Sequence, residues 1–248
     1  MIAQRRTKIV CTLGPSTEDD QILRELILSG MNVARLNFSH GNHETHLRSI
    51  QRVRHISREL NRPVGIMLDT KGPEIRLETF KDGKVALTKG QTFTLCTESI
   101  VGDGEHASIS YRELPRDVKE GTRILMDDGL IGMTVRTVSA AEIVCVVDNG
   151  GVISDRKSIN VPDVELGMTY ISEKDRDDIA FGVHQGVDFV AASFTRSPED
   201  ILDIRKIFSA EGGANIKIIA KIENMQGVQN IDDILPSVSP TAASSGFV

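Results

Sequence analysis

With 248 residues, 40% of them hydrophobic, the chain is long enough for one large domain or two smaller ones, each with a real core. A formal charge of −6, no basic block, no tryptophan and only 4% aromatic residues exclude a nucleic-acid partner held by phosphate contacts or base stacking. Cys11, Cys96 and Cys145 are odd in number and widely spaced, which excludes a disulfide framework or a metal knuckle and predicts a reducing, cytoplasmic compartment.

No apolar run approaches the roughly 18 residues of a membrane span, and Ile9–Leu13 after Arg5, Arg6 and Lys8 is too short for a signal-peptide core. Lys8–Leu13 reads as a strand stopped by Gly14-Pro15, and Ser16 and Thr17 are the expected caps of the next helix. Ile22, Leu23, Leu26 and Ile27 give that helix one apolar stripe, and Gly30 its stop. A second strand runs Val33–Phe38 into Ser39-His40-Gly41, followed by a helix with Leu47, Ile50, Val53, Ile56 and Leu60 on one side. The third strand, Gly65–Leu68, is a doubly buried type that breaks into Asp69, Thr70, Lys71 and Gly72-Pro73. Strand and helix alternate with short links, which predicts parallel βα units.

From Glu78 to about Gly167 the texture changes to Val, Ile and Thr with frequent turn signals. Lys81-Asp82-Gly83-Lys84, Asp127-Asp128-Gly129 and Asp148-Asn149-Gly150-Gly151 suit tight reversals, and Thr92–Leu95 and Ala107–Tyr111 alternate as half-exposed strands do. With no amphipathic helix in this stretch, it reads as an inserted all-β domain. The βα pattern resumes with Ser172 capping a helix, a strand over Asp188–Phe194, and a helix announced by Ser197-Pro198-Glu199-Asp200. A strand over Ile216–Glu223 and a helix through Leu235 follow, and the chain from Pro236 onward is expected to be irregular. The predicted architecture is α/β: a partial (β/α)8 TIM-type barrel with about five of eight units. Residues 1–71 and 169–235 form the barrel, 72–168 the insertion and 236–248 a divergent tail.

In such barrels the working residues sit at the C-terminal ends of strands. Arg35, Asn37, Ser39 and His40 end the second strand, Asp69 and Thr70 the third, Ser193 and Arg196 the fourth, and Lys221 and Glu223 the fifth. Lys221 and Glu223, two apart on a strand, share one face. They are read either as a structural ion pair or as a metal-holding carboxylate beside an ammonium that neutralises a phosphoryl or enolate oxygen. Arg35 serves equally well as a loop bridge or a phosphate ligand. His40, His43 and His46 lack acidic or sulfur partners to complete a ligand set and read as structural, Lys157 as a surface lysine. No glycine-rich stretch has Walker A or dinucleotide spacing.

Thr7–Ser16, Ala34–Gly41, Leu68–Arg76 and Ile219–Asn224, in this order, resemble the pyruvate kinase family, and the resemblance extends from Thr7 to Leu235. It implies a barrel interrupted by a β-rich lid, and transfer of the phosphoryl group of phosphoenolpyruvate to ADP, giving pyruvate and ATP, with Mg2+ or Mn2+ and K+. By matching motif, Arg35 and Lys221 are the implied catalytic residues, Arg35 on the substrate phosphate and Lys221 offsetting charge on the phosphoryl group. Asn37, His40, Arg76, Lys157 and Ser193 are implied to bind substrate or nucleotide, Glu223 to ligate Mg2+ or Mn2+, and Asn37, Ser39, Asp69 and Thr70 to hold K+. Glu74 matches the K+-dependent branch. The family is usually homotetrameric, and open sheet edges make this chain one expected to self-associate. Where the family continues into another strand and an Arg-Gly-Asp-type turn bearing a second metal ligand, this chain has Pro236-Ser237-Val238. That departure implies an impaired enzyme. The competing readings are a non-catalytic fragment with residual nucleotide or metal binding, and a metal-dependent lyase acting on pyruvate enolates.

Overall fold

A computed structural model of the chain describes residues 6–162 and 164–238. β1 (Ile9–Thr12) runs into a 3-10 turn at Pro15–Thr17, and α1 (Asp20–Ser29) follows. Asp19, not Ser16 or Thr17, caps α1: its carboxylate accepts from Gln21 N at 2.7 Å and Ile22 N at 3.3 Å, while Thr17 Oγ1 is spent on Gly14 within the preceding turn. Gly30 ends α1 at φ 113°, a conformation that favours glycine. β2 (Met31–Asn37), α2 (His43–Glu59) and β3 (Gly65–Asp69) complete the first run of βα units.

The chain then enters a second compact unit, Glu74–Thr169. Its elements are β4 (Ile75–Arg76), β5 (Lys84–Leu87), β6 (Thr92–Cys96), β7 (His106–Ser108), α3 (Leu114–Asp117), β8 (Arg123–Met126), β9 (Ile131–Val138), β10 (Glu142–Val147), β11 (Gly151–Ser154) and β12 (Ser158–Asn160). Seven of these strands form one sheet in the order β4-β12-β8-β9-β10-β6-β7, and β11 pairs with β5. The expected reversals are present at Gly83 (φ 73°) and at Asp127-Asp128-Gly129, all three left-handed. β6 is not half-exposed as its alternation predicts: it lies between β10 and β7, and only Thr92 faces solvent. The four-residue α3 was not foreseen either, because one turn is too short to show a 3.6-residue period.

On its return the chain adds α4 (Glu173–His184), β13 (Phe189–Ala192), α5 (Pro198–Glu211), β14 (Lys217–Ala220), α6 (Met225–Gln229) and α7 (Ile231–Val238). The first unit is a parallel sheet in the order β1-β2-β3-β13-β14, the sequential order of a (β/α)8 barrel, with five of the eight strands that closure needs. Leu23, Ile27, Ile50, Val53 and Ile56 of the helices and Leu36, Ile66 and Leu68 of the strands are buried in one core. Edge positions stay wet: Val10 of β1 is 47% exposed and Ile219 of β14 41%.

Two expectations need correction. β14 stops at Ala220, so Lys221 and Glu223 follow the strand rather than end it. Pro236-Ser237-Val238 are helical, not irregular: Pro236 lies in the last turns of α7, and Ser237 Oγ donates back to the Ile234 carbonyl at 2.6 Å. The rest of the expected tail, 239–248, lies outside the described residues. All three cysteines are free, and burial pushes the thiols of Cys96 and Cys145 up, the latter to about 12. Among the described residues no helix is long and apolar enough to cross a membrane.

Candidate functional site

Asp69, the last residue of β3, organises the polar end of the parallel sheet. Its side chain is 2% exposed, a burial that a carboxylate tolerates only with partners. Arg35, from β2, donates Nε to Asp69 Oδ2 at 2.7 Å, and its Nη2 reaches the same oxygen. Lys221 Nζ stands 3.3 Å from Oδ1 on the opposite side. Register explains the convergence: β2 and β3 pair Asn37 with Asp69, and β3 and β13 pair Asp69 with Ala191. Although Lys221 lies past β14, its backbone N–H still donates to the Ala192 carbonyl at 3.0 Å, which keeps the side chain on the site.

Ser193 ties these groups together. Its hydroxyl accepts from Lys221 Nζ at 2.9 Å, donates to the Thr70 carbonyl at 2.7 Å and lies 3.1 Å from Asp69 Oδ1. Glu223 closes the far side, with Oε1 3.1 Å from Lys221 Nζ and Oε2 accepting from Phe194 N at 3.0 Å. Phe194 adopts φ 54°, a left-handed conformation that costs a bulky residue about 1 kcal/mol or more. Asn224 supports it, donating Nδ2 to the Phe194 and Thr195 carbonyls at 3.2 and 3.3 Å while its Oδ1 caps α6. Two cations and two carboxylates therefore balance. The side chains of Arg35 and Lys221 each remain 29% exposed, so both can meet an anion without leaving Asp69.

Around this centre Asn37 Oδ1 accepts from Ser39 N at 3.0 Å, and Phe38 N donates to the Asp69 carbonyl at 3.0 Å. Asn37, Ser39, Asp69 and Thr70 thus share one end of two paired strands. His40 borders a cavity of about 820 Å³ lined also by Thr12, Pro15, Asn37, Thr45 and Arg52. His43 and His46 do structural work: His43 Nε2 is 2.7 Å from Asp178 Oδ1, and His46 Nε2 is 2.9 Å from the His40 carbonyl. Arg76 and Lys157 belong to the second unit. Arg76 pairs with Glu74 and donates Nη1 to the Arg156 carbonyl at 2.6 Å, and Lys157 Nζ is 2.8 Å from Asp127 Oδ1. Sequence reasoning missed Thr12, which accepts from Arg35 Nη1 at 2.7 Å, and Phe194, whose residue type carries no signal for its conformation. Asn224 did carry one, as an Asn immediately before a helix.

The donor set bears on the ions. Among the described residues no three His, Cys, Asp or Glu side chains are grouped to hold a metal. Glu223 is a single carboxylate, and Asp69 is already held by two cations. That fits one arm of a Mg2+ site completed by water and phosphate oxygens, not a closed protein cage. The neutral oxygens of Asn37, Ser39 and Thr70 beside Asp69 suit a monovalent cation, which prefers oxygen ligands. Glu74 Oε2, in the second unit, is buried with no hydrogen-bond partner, a state that normally signals an ion or water.

A family model described as "Pyruvate kinase, barrel domain" matches residues 4–242. Among similar proteins, the pyruvate kinase of Staphylococcus saprophyticus is 48% identical over 233 residues, which cover 93% of this chain and 40% of the relative. That of Clostridium acetobutylicum is 47% identical, covering 93% and 49%, and that of Geobacillus stearothermophilus 47% identical, covering 98% and 42%. The chain spans less than half the length of these relatives.

Proposed function

Because the chain belongs to the pyruvate kinase family, we propose that it carries the phosphoenolpyruvate-binding and phosphoryl-transfer residues of that reaction, and that it acts in the cytoplasm. The observation that supports this most is the buried Asp69 flanked by the partly exposed guanidinium of Arg35 and ammonium of Lys221. Asp69 fixes both cations in place before a ligand arrives, so their charge is preorganised rather than recruited. Loose phosphoryl transfer asks for that kind of positioning and charge compensation more than for covalent help.

In this reading Arg35 binds the substrate phosphate and Lys221 stabilises charge on the transferring group. Ser193, hydrogen-bonded to Lys221 Nζ, orients the ammonium. Glu223 would hold the divalent cation, which when bound neutralises phosphate charge. Asn37, Ser39, Asp69 and Thr70 would hold K+, with Glu74 the residue of the K+-dependent branch. His40, beside its cavity, faces ADP. Arg76 and Lys157 are the proposed contacts to nucleotide phosphates, and an incoming phosphate displaces Glu74 and Asp127 from them.

Calorimetric titration with phosphoenolpyruvate in Mg2+ and K+ tests the reading. Arg35→Met and Lys221→Met are each expected to weaken binding about tenfold or more, the loss of a charge-assisted hydrogen bond. Unchanged affinity in both variants overturns it.

A further inference from the structure

Asn37 and Asp69 end β2 and β3, Ser39, His40 and Thr70 follow in the segments after them, and each of those segments is held from the same direction, by the first two turns of α4. Ser172 starts that helix, its hydroxyl 2.6 Å from Asp175 Oδ2 and accepting from Asp175 N at 3.0 Å. Asp175 is 1% exposed, and its other oxygen accepts from Gly72 N at 3.2 Å. Gly72 is left-handed at φ 66°, and a Cβ there would stand 2.8 Å from the Ser193 carbonyl, so the segment after β3 has little freedom to settle elsewhere. Lys174, the preceding residue, donates its ammonium to the Phe38 carbonyl at 3.1 Å and to Asp178 Oδ2 at 2.5 Å. Asp178, with a side chain 4% exposed, uses its second oxygen on His43 Nε2 at the start of α2. Lys174, Asp178 and Phe181 share one face of α4 by helical spacing, and the Phe181 ring stacks on His43 at 4.4 Å.

We propose that Lys174, Asp175 and Asp178 are positioning residues, through which α4 sets the geometry of both ligand-facing segments. Phe38 lies between Asn37 and Ser39, so its peptide orientation fixes where those two side chains point. Without the Lys174 ammonium, the Phe38 carbonyl loses its charged donor and Asp178, among the described residues, keeps His43 alone to offset a buried charge. None of the three touches the centre formed by Arg35, Asp69 and Lys221, so their effect is transmitted through the backbone of Phe38 and Gly72. The inference rests on the proposed ligand-binding role of those segments.

The test uses the full chain with Lys174→Met, Lys174→Arg and Asp178→Asn, read by site-resolved amide exchange and by phosphoenolpyruvate affinity. Lys174→Met is expected to speed exchange about tenfold at Ser39–Gly41 and to weaken phosphoenolpyruvate by a similar factor, with Glu74–Thr169 unchanged. Lys174→Arg, which can still donate to both oxygens, restores most of each. Exchange at Ser39–Gly41 unchanged in Lys174→Met overturns the proposal, as does exchange raised with affinity intact, or raised uniformly through the chain. Should the parent chain bind no phosphoenolpyruvate, the functional reading fails, while the exchange comparison still decides whether α4 holds the segments. Should Asp178→Asn fail to fold, the partly exposed Lys174 provides the variant pair that remains.

Discussion

Single side chains in this protein act by where they are buried. His46 is packed against Phe38 with ring centroids 4.0 Å apart, and its Nε2 donates to the His40 carbonyl, so the neutral ring satisfies its surroundings. Burial, the largest influence, lowers its pKa, outweighing the bond to His40 and the charge of Asp178, while His43 and Lys174 act in the same direction as burial. A native pKa below the unfolded value near 6.5 means that the unfolded chain takes up protons first as pH falls. The stability contributed by His46 is therefore present above about pH 6.5 and is lost as pH drops through the lower native value. Urea denaturation from pH 8 to pH 5.5 should show that decline in the parent chain and a smaller one in His46→Gln. Equal declines would assign the pH dependence to other groups. This residue also marks a limit of reading a sequence. His43 and His46 were legible as structural because no partner completed a ligand set, but their actual partners, Asp178 on a distant helix for His43 and the His40 carbonyl for His46, come only with the fold.

At the scale of elements, the apolar periodicity of α1, α2 and α5 and the apolar runs of β1, β2, β3, β13 and β14 made the partial barrel legible, because strand and helix patterns alternate with short links. Element ends were less legible. Ile216–Glu223 reads as one strand, yet pairing ends at Ala220, and the next residues turn to bring Lys221 and Glu223 together. The docking of α6 shows how close the fit is beyond that point. A Cβ on Gly227 would lie 2.4 Å from the Thr195 carbonyl, a backbone atom with no side-chain freedom to yield, whereas one on Gly14 would meet nothing within 4 Å. Gly227→Ala is expected to destabilise the chain by about 1–3 kcal/mol, and Gly14→Ala to change little. Denaturant midpoints decide it, and equal effects at the two positions would show that α6 is free to move away.

For the whole molecule, composition alone marked the change of texture after Arg76, since Val, Ile and Thr with turn residues replace the helical stripes. The two units have separate cores, one built on Leu36, Leu68 and Val190, the other on Phe93, Val135 and Cys145. What the sequence could not reveal is the partnering inside the insertion, where β4, at its start, pairs with β12, at its end, because turn signals fix only neighbouring strands.

That interruption of the parallel sheet constrains the order in which the chain folds. β3 and β13 are sheet neighbours, yet the bond from Ile66 N to Asp188 Oδ2 spans 122 positions. Closing a flexible loop of that length costs about 4 kcal/mol in chain entropy. The hairpins β8–β9 and β9–β10 close over a few residues and carry no such cost. The insertion should therefore collapse first, and its collapse shortens the free chain between the two halves of the parallel sheet. Pulsed amide labelling during refolding should protect Val135 and Cys145 before Leu68 and Val190, and simultaneous protection would mean that the two sheets nucleate as one.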